Sequence, residues 1–220
     1  MWTVAASPAL VIGRSARGVA ADDAACARLG VEVVRRSSGG GPVLWDAGLL
    51  GLDVVLPPGH PFAGQGVIEA YERLGRALSG ALRELGVDAR AVSVDEARTA
   101  AHDPAARRAA ELACFGALSP HEVVAGGRKV VGLAQVRRRS GTLLQAGFAL
   151  RLDGGRLAEV LAVPASERDW IARRLAEGAG GLEGLLAGAG ATDVVAAVDG
   201  ALTACLATSE PARETAAERT

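Results

Sequence analysis

One lysine, Lys129, stands among the 24 basic residues of this 220-residue chain; every other basic position is arginine. Lysine offers a compact point charge on a flexible stem, and arginine a wide planar fork. Lys129 is therefore read as a position where a fork does not serve, against the plain reading of codon bias with one survivor. Fifteen residues earlier lies Cys114. A thiol beside a cation can act as a nucleophile, whereas a free cysteine packed inside a core is a small hydrophobe. A third group is Arg35 to Pro42, RRSSGGGP. Gly39, Gly40 and Gly41 allow backbone N–H groups to ring an anion because no Cβ intrudes. Arg35 and Arg36 can neutralise phosphate or carboxylate charge. The loop suits a phosphate, an adenylate or the pantetheine arm of an acyl carrier; alternatively it is a turn beside surface arginines. Neither GxxxxGK[ST] nor GxGxxG occurs.

Gly132 and Ala134 follow Lys129 at alternate positions, with Gln135 next. Small residues at alternate positions let a ligand lie flat on one face of a strand, and Lys129 is expected at the mouth of that surface. Arg137, Arg138 and Arg139 read as a solvated strand end or as a contact for an acidic acceptor protein.

These residues need elements to carry them. Short apolar runs predict strands over 8–13, 31–34 and 49–56. Val67, Tyr71, Leu74, Leu78, Leu82 and Leu85 recur at helical spacing and predict a helix over 66–86. A short helix is expected around 20–29, and 90–113 reads as a surface loop with a short helix. Segments 122–125, 129–136 and 142–150, separated by turn sequences, read as antiparallel strands, and 157–161, 166–175 and 192–206 as helices. The expected fold is α+β, a largely antiparallel central sheet flanked by helices. One domain is expected over 1–207, with a polar, disordered tail over 208–220.

Composition narrows the function. The formal net charge is −1, so neither a nucleic-acid binder nor a membrane-surface binder is indicated. Every apolar run is interrupted by Gly, Pro or charge before membrane length. No basic region precedes the apolar N-terminal stretch, so no secretory signal is expected. Cys26, Cys114 and Cys205 are odd in number and widely spaced, which suits reduced thiols and a cytoplasmic chain.

Two segments carry a resemblance. Arg35–Asp46, RRSSGGGPVLWD, resembles the RRxSGGGAVxHD loop of the lipoate–protein ligase A and octanoyltransferase family, within the biotin/lipoate protein ligase catalytic-domain superfamily. Gly127–Gln135, GRKVVGLAQ, resembles its GxKxxGxAQ strand, and Pro8–Arg14 looks like the strand preceding both. The resemblance implies an acyl chain in a tunnel beneath the Gly-rich loop, with Lys129 at the acyl carbonyl or adenylate phosphate. It implies substrate or nucleotide contacts from Arg36, Ser38, Gly39, Gly40, Gly41, Pro42, Val43, Leu44, Gly132, Ala134 and Gln135. The activity implied is attachment of a lipoyl or octanoyl group to a lysine of a lipoyl-acceptor protein, with ATP and Mg2+ if the route is that of a ligase. ACFGALSPHEVV resembles the Cys-Phe segment of members that transfer octanoate from an acyl carrier protein through a cysteine thioester without ATP, which makes Cys114 the alternative catalytic residue. A third reading is a non-catalytic relative that binds an acyl group or the acceptor domain. The chain departs from the pattern in three ways. It is expected to lack the family's first strand and helix. Trp45 stands at the family's His, and Leu49 and Gly51 stand at its Asn positions. The length leaves no room for the small C-terminal domain of many ligases.

Overall fold

The computed structural model describes residues 1–16 and 18–209. The predicted tail therefore lies outside the described residues from residue 210 onward, while Thr208 and Ser209 belong to the last helix.

Among the described residues, nine strands form two sheets. The strands are β1 (Trp2–Val4), β2 (Ala9–Gly13), β3 (Glu32–Arg36), β4 (Val43–Trp45), β5 (Leu49–Leu56), β6 (Ala89–Ala91), β7 (Val123–Ala125), β8 (Arg128–Arg138) and β9 (Gly141–Ala149). The larger sheet has the order β1-β5-β9-β8-β7-β6 and is antiparallel throughout. The smaller has the order β3-β2-β4, with β2 parallel to β3 and antiparallel to β4. The helices are α1 (Asp23–Leu29), α2 (Val67–Glu84), α3 (Val94–Ala100), α4 (Pro104–Leu112), α5 (Gly154–Glu159), α6 (Ala165–Gly178) and α7 (Ala191–Ser209). This is the α+β arrangement that the hydrophobic patterning predicts.

The large sheet separates two cores. On one side Leu74, Leu78 and Leu82 of α2 and Val194, Val198 and Leu202 of α7 pack with Leu52, Leu144 and Phe148. On the other, Leu10 and Ile12 of β2 pack with Leu112, Phe115, Leu161 and Leu175. Each half of the molecule thus buries one apolar face of an element against the next, which supplies the main driving force for folding. Among the described residues, Ala191–Thr208 of α7 is long and apolar enough to cross a membrane by length and composition. It departs from the expectation that no such run exists, although its core-facing side packs on α2.

Three elements were not expected from local pattern. β1 pairs with β5 at the sheet edge through Trp2↔Leu52. β4 and β6 have three residues each, too few for a period to register. Within 90–113, α3 and α4 are each capped, by Ser93 on the N–H of Glu96 and by Asp103 on the N–H of Ala105, with Pro104 at the first helical turn of α4.

Candidate functional site

The helix α4 ends at Leu112, Ala113 turns to extended backbone, and Cys114 begins a loop that runs to Glu122. Four contacts hold this loop. The N–H of Cys114 donates to the carbonyl of Pro42 at 2.7 Å, which ties it to the Gly-rich segment. Lys129 Nζ donates to the carbonyl oxygens of Cys114 at 2.7 Å and Ala117 at 3.1 Å. At its far end His121 takes the left-handed conformation, with φ 65°. There the loop meets α2 so closely that a Cβ on Gly75 would stand 2.0 Å from the His121 carbonyl oxygen.

Lys129 is enclosed, with 1 % of its surface exposed. Its third acceptor is Glu122 Oε2 at 2.7 Å, and its ammonium lies 5.3 Å from the Phe115 ring centroid. Glu122, 2 % exposed, also accepts from the N–H groups of Ser119 and Leu133. The Leu133 bond carries the ladder of β8 past the end of β7, where a bulge shifts the register. The expectation that Lys129 stands at the mouth of an open surface is therefore corrected. Its three donors meet three acceptors inside the protein, and a buried cation is tolerated only with such compensation.

Arg36, at the end of β3, reaches the same loop from the other side. Its Nη2 donates to the Gly41 carbonyl at 3.3 Å and lies 3.7 Å from Cys114 Sγ. Its Nε is buried with no hydrogen-bond partner among the described residues. The three glycines serve different needs. Gly40 alone has positive φ, 101°, and a Cβ there would stand 2.7 Å from Arg36 Nη2. Gly41 lets the loop lie on α4, since its Cβ would come within 2.4 Å of the Ala110 carbonyl oxygen. Gly39 faces Ser15, whose Oγ accepts from the N–H of Gly40 at 2.9 Å. One donor of the anion cradle expected of this loop, the Gly40 N–H, is thus taken by Ser15. Arg36 Nη2 is bonded to Gly41, while Arg36 Nε has no partner among the described residues; no step is derived through ATP or Mg2+.

What the loop and the sheet do enclose is a cavity of about 110 Å³. Arg36, Val43, Cys114, Phe115, Gly132 and Ala134 line it, together with Trp45, Asp53, Gln145 and Gly147. At roughly 10–15 Å³ of such space per water-sized group it accepts on the order of ten heavy atoms, the size of a medium acyl chain. Its floor is the face of β5, β9 and β8, where Asp53, Gln145 and Ala134 form one cross-strand row and Gly51, Gly147 and Gly132 the next. The polar row is satisfied internally: Ser38 Oγ donates to Gln145 Oε1 at 2.6 Å, and Gln145 Nε2 donates to Asp53 Oδ1 at 2.9 Å. A wider open groove of about 640 Å³ beside α2 and α7 is lined by none of the predicted site residues.

The structure thus brings Arg36, Val43, Cys114, Gly132 and Ala134 to one cavity and sets Ser38, Gly40 and Pro42 in the shell that supports it. Leu44 turns instead into the core beside α5 and α6. Gln135 is also corrected: one residue beyond Ala134 it points through the opposite face, where its Nε2 donates to the Val67 carbonyl of α2. There it meets Tyr71, whose hydroxyl is pushed up to about 12 by burial, with the Gln135 bond acting in the opposite sense. Sequence reasoning did not find Asp53, Gln145 or Gly147. Their signal is the register of β5 on β9, which no local pattern reveals.

Residues 1–202 match the lipoyl protein ligase A/B catalytic domain. Octanoyltransferase LipM of Kyrpidia tusciae is 35% identical over 219 residues, covering 96% of this chain and 77% of that protein. Octanoyltransferase LipM of Moorella thermoacetica is 37% identical over 135 residues, 61% of this chain and 46% of that protein. The chain thus spans about half the length of some curated relatives it matches. Among solved structures, a bi-partite lipoate protein ligase from Thermoplasma acidophilum superposes with a TM-score of 0.69 at 22% identity, covering 91% of this chain and 68% of that one. Lipoate-protein ligase A bound with ATP gives 0.64 at 21%, covering 91% and 70%. Those structural likenesses speak to the fold. With the family match across nearly all described residues and the Kyrpidia relative beside it, the chain belongs to the lipoyl protein ligase A/B catalytic-domain family.

Proposed function

We propose that this protein transfers an octanoyl group from a carrier thioester to a lysine of a lipoyl-acceptor protein, through an S-acyl intermediate on Cys114. The observation that carries this reading is the Cys114 sulfur at the wall of an acyl-sized cavity with the Arg36 guanidinium 3.7 Å away. The relatives named octanoyltransferase support it. The Thermoplasma ligase, whose partner is an E2 lipoyl domain, supports the acceptor class. This transferase reading replaces ATP-dependent ligation as the first choice.

In the first step the Cys114 thiolate attacks the thioester carbonyl. A carbon–sulfur bond to Cys114 forms, the carrier's carbon–sulfur bond breaks, and the departing carrier thiolate takes the proton that the Cys114 thiol gave up. In the second step the neutral amine of the acceptor lysine attacks the S-acyl carbonyl. An amide forms, the carbon–sulfur bond to Cys114 breaks, and the proton lost by the amine passes to the departing Cys114 thiolate. Negative charge develops on the carbonyl oxygen in both steps. Arg36, with its Nη2 3.7 Å from Cys114 Sγ and its Nε without a partner among the described residues, supplies the donor that meets it. Lys129 acts as a positioning residue, fixing the Cys114 backbone through its carbonyl. In this reading the domain spans 1–207, the chain works in the cytoplasm, and the carrier is an acyl carrier protein.

The test is incubation with octanoyl carrier protein and an acceptor domain, without ATP, followed by intact-protein mass spectrometry. A hydroxylamine-labile octanoyl adduct on Cys114 and an acylated acceptor are expected, and Cys114→Ser should lose both. Acceptor acylation by Cys114→Ser that depends on ATP and lipoate would return the assignment to a ligase. No adduct and no acylation under either condition would leave the non-catalytic reading.

A further inference from the structure

We propose that the indole of Trp45, seated on Gly51, closes the far end of the acyl channel and sets the length of chain it accepts. The inference deepens the transferase reading and rests on it for the identity of the chain.

Three glycines stand in register across adjacent strands: Gly51 of β5 pairs with Gly147 of β9, which pairs with Gly132 of β8. Residues in register share a face of the sheet. Side chains are therefore missing along a line that crosses the strands, and a trough results. What lies above each glycine differs. Above Gly132, a Cβ would stand 3.4 Å from Lys129 Cε, whose ammonium holds the Cys114 carbonyl. Above Gly147 nothing lies within 4 Å. Above Gly51, a Cβ would stand 2.4 Å from Trp45 Cζ2 and 2.7 Å from Cη2. The trough thus starts beside the Cys114 loop, is open in the middle and is blocked by the Trp45 ring.

Its length suits a medium chain. Two strand spacings of about 4.8 Å make about 10 Å from Gly132 to Gly51. An extended eight-carbon chain, with bonds near 1.5 Å, is about 9 Å long. Trp45 is aimed at this place by the pairing of β4 with β2, in which Trp45 is opposite Ala9. No hydrogen bond fixes the ring, because its Nε1 has no partner among the described residues. It is held by its fit to Gly51. Tryptophan at 45 and glycine at 51 are therefore a matched pair, since any side chain at 51 would meet the ring.

The experiment uses the full chain and a series of acyl-pantetheines of four to fourteen carbons, with the rate of adduct formation on Cys114 read by mass spectrometry. In the wild type the rate should break beyond eight carbons, by about tenfold or more for each methylene the pocket rejects. In Trp45→Ala, and to a lesser degree in Trp45→Leu, the break should move to ten or twelve carbons, so that the ratio of long-chain to octanoyl rate rises. A second readout needs no chemistry at Cys114. Octanoate brominated at its terminal carbon should quench tryptophan emission in the wild type, octanoate brominated next to the carboxylate should not, and Trp45→Phe should abolish the difference. A folded Trp45→Ala with an unchanged break, or equal quenching by the two bromides, overturns the proposal. Selective quenching without any Cys114 adduct would uphold the stop and overturn the transferase reading instead.

Discussion

The ammonium of Lys129 and the carbonyl oxygen of Cys114 are 2.7 Å apart, and the same ammonium is 2.7 Å from Glu122 Oε2. A single buried charge thus joins the start of the Cys114 loop to its end. Removing one partner of a buried ion pair leaves the other uncompensated, at a cost of about 3–5 kcal/mol. Lys129→Met should lose stability of that order in denaturant unfolding, and the double variant with Glu122→Gln should recover part of it. Lys129→Arg should also lose both stability and acylation, since a planar fork cannot reach three acceptors set for one compact charge. A Lys129→Met protein as stable as the wild type would show that the bracket contributes nothing.

Gly40 combines φ 101° with a Cβ position 2.7 Å from Arg36 Nη2. A β-branched residue there is strained by about 1–3 kcal/mol and also displaces the guanidinium from Cys114. Gly40→Val should therefore slow octanoyl adduct formation far more than its loss of stability accounts for. Unchanged adduct kinetics at a temperature where the variant is folded would reduce the loop to a turn.

Arg36 is the cation that touches the Cys114 sulfur. Arg36→Met should lower the rate of Cys114 acylation by about 10²–10³-fold, the usual effect of losing one donor to a developing oxyanion. Arg36→Lys should restore little, because one point charge cannot serve both the Gly41 carbonyl and the reacting oxygen. Single-turnover acylation measured by quenched-flow mass spectrometry reads both, and wild-type rates in Arg36→Met would remove Arg36 from the mechanism.

Tyr71 gives a pH signature on the opposite face of the sheet. Its hydroxyl is pushed up to about 12, against an ordinary value of 10.0, chiefly by burial. The folded state therefore keeps the proton longer than the unfolded state. Tyr71 contributes full stability below the unfolded value and loses it as pH rises through the folded one. The wild type should lose on the order of 2 kcal/mol between pH 10 and pH 12 that Tyr71→Phe does not lose, at about 1.4 kcal/mol per unit. Parallel pH dependence of the two proteins in chemical unfolding would contradict this.

The elements legible in the sequence are those whose burial pattern repeats along the chain. α2 shows its Leu74–Leu78–Leu82 stripe at helical spacing, and β5 was expected over 49–56, where it lies. Cys114, Arg36, Gly132 and Ala134, which line one cavity, are legible as candidates because unusual residue types or small residues at fixed spacing need no partner to be noticed. Three-residue strands such as β4 and β6 were not legible, since only their neighbours give them a face.

The sequence by itself determined the family and the α+β class, and singled out the sole lysine and the cysteine as candidates for chemistry. Tertiary structure alone decided what each one does. Lys129 has the same spacing to Cys114 whether it lies open to a substrate or buried on Glu122, and only the fold of the loop over β8 selects the second. Gln135 follows Ala134 in the motif, yet the pleat turns it away to α2. Gly51, Gly147 and Gly132 are far apart in the chain and form one trough only because β5, β9 and β8 pair in one register. Sequence spacing specifies periodicity within an element, but contacts between elements follow from which apolar faces bury each other, and those faces meet only in the folded chain.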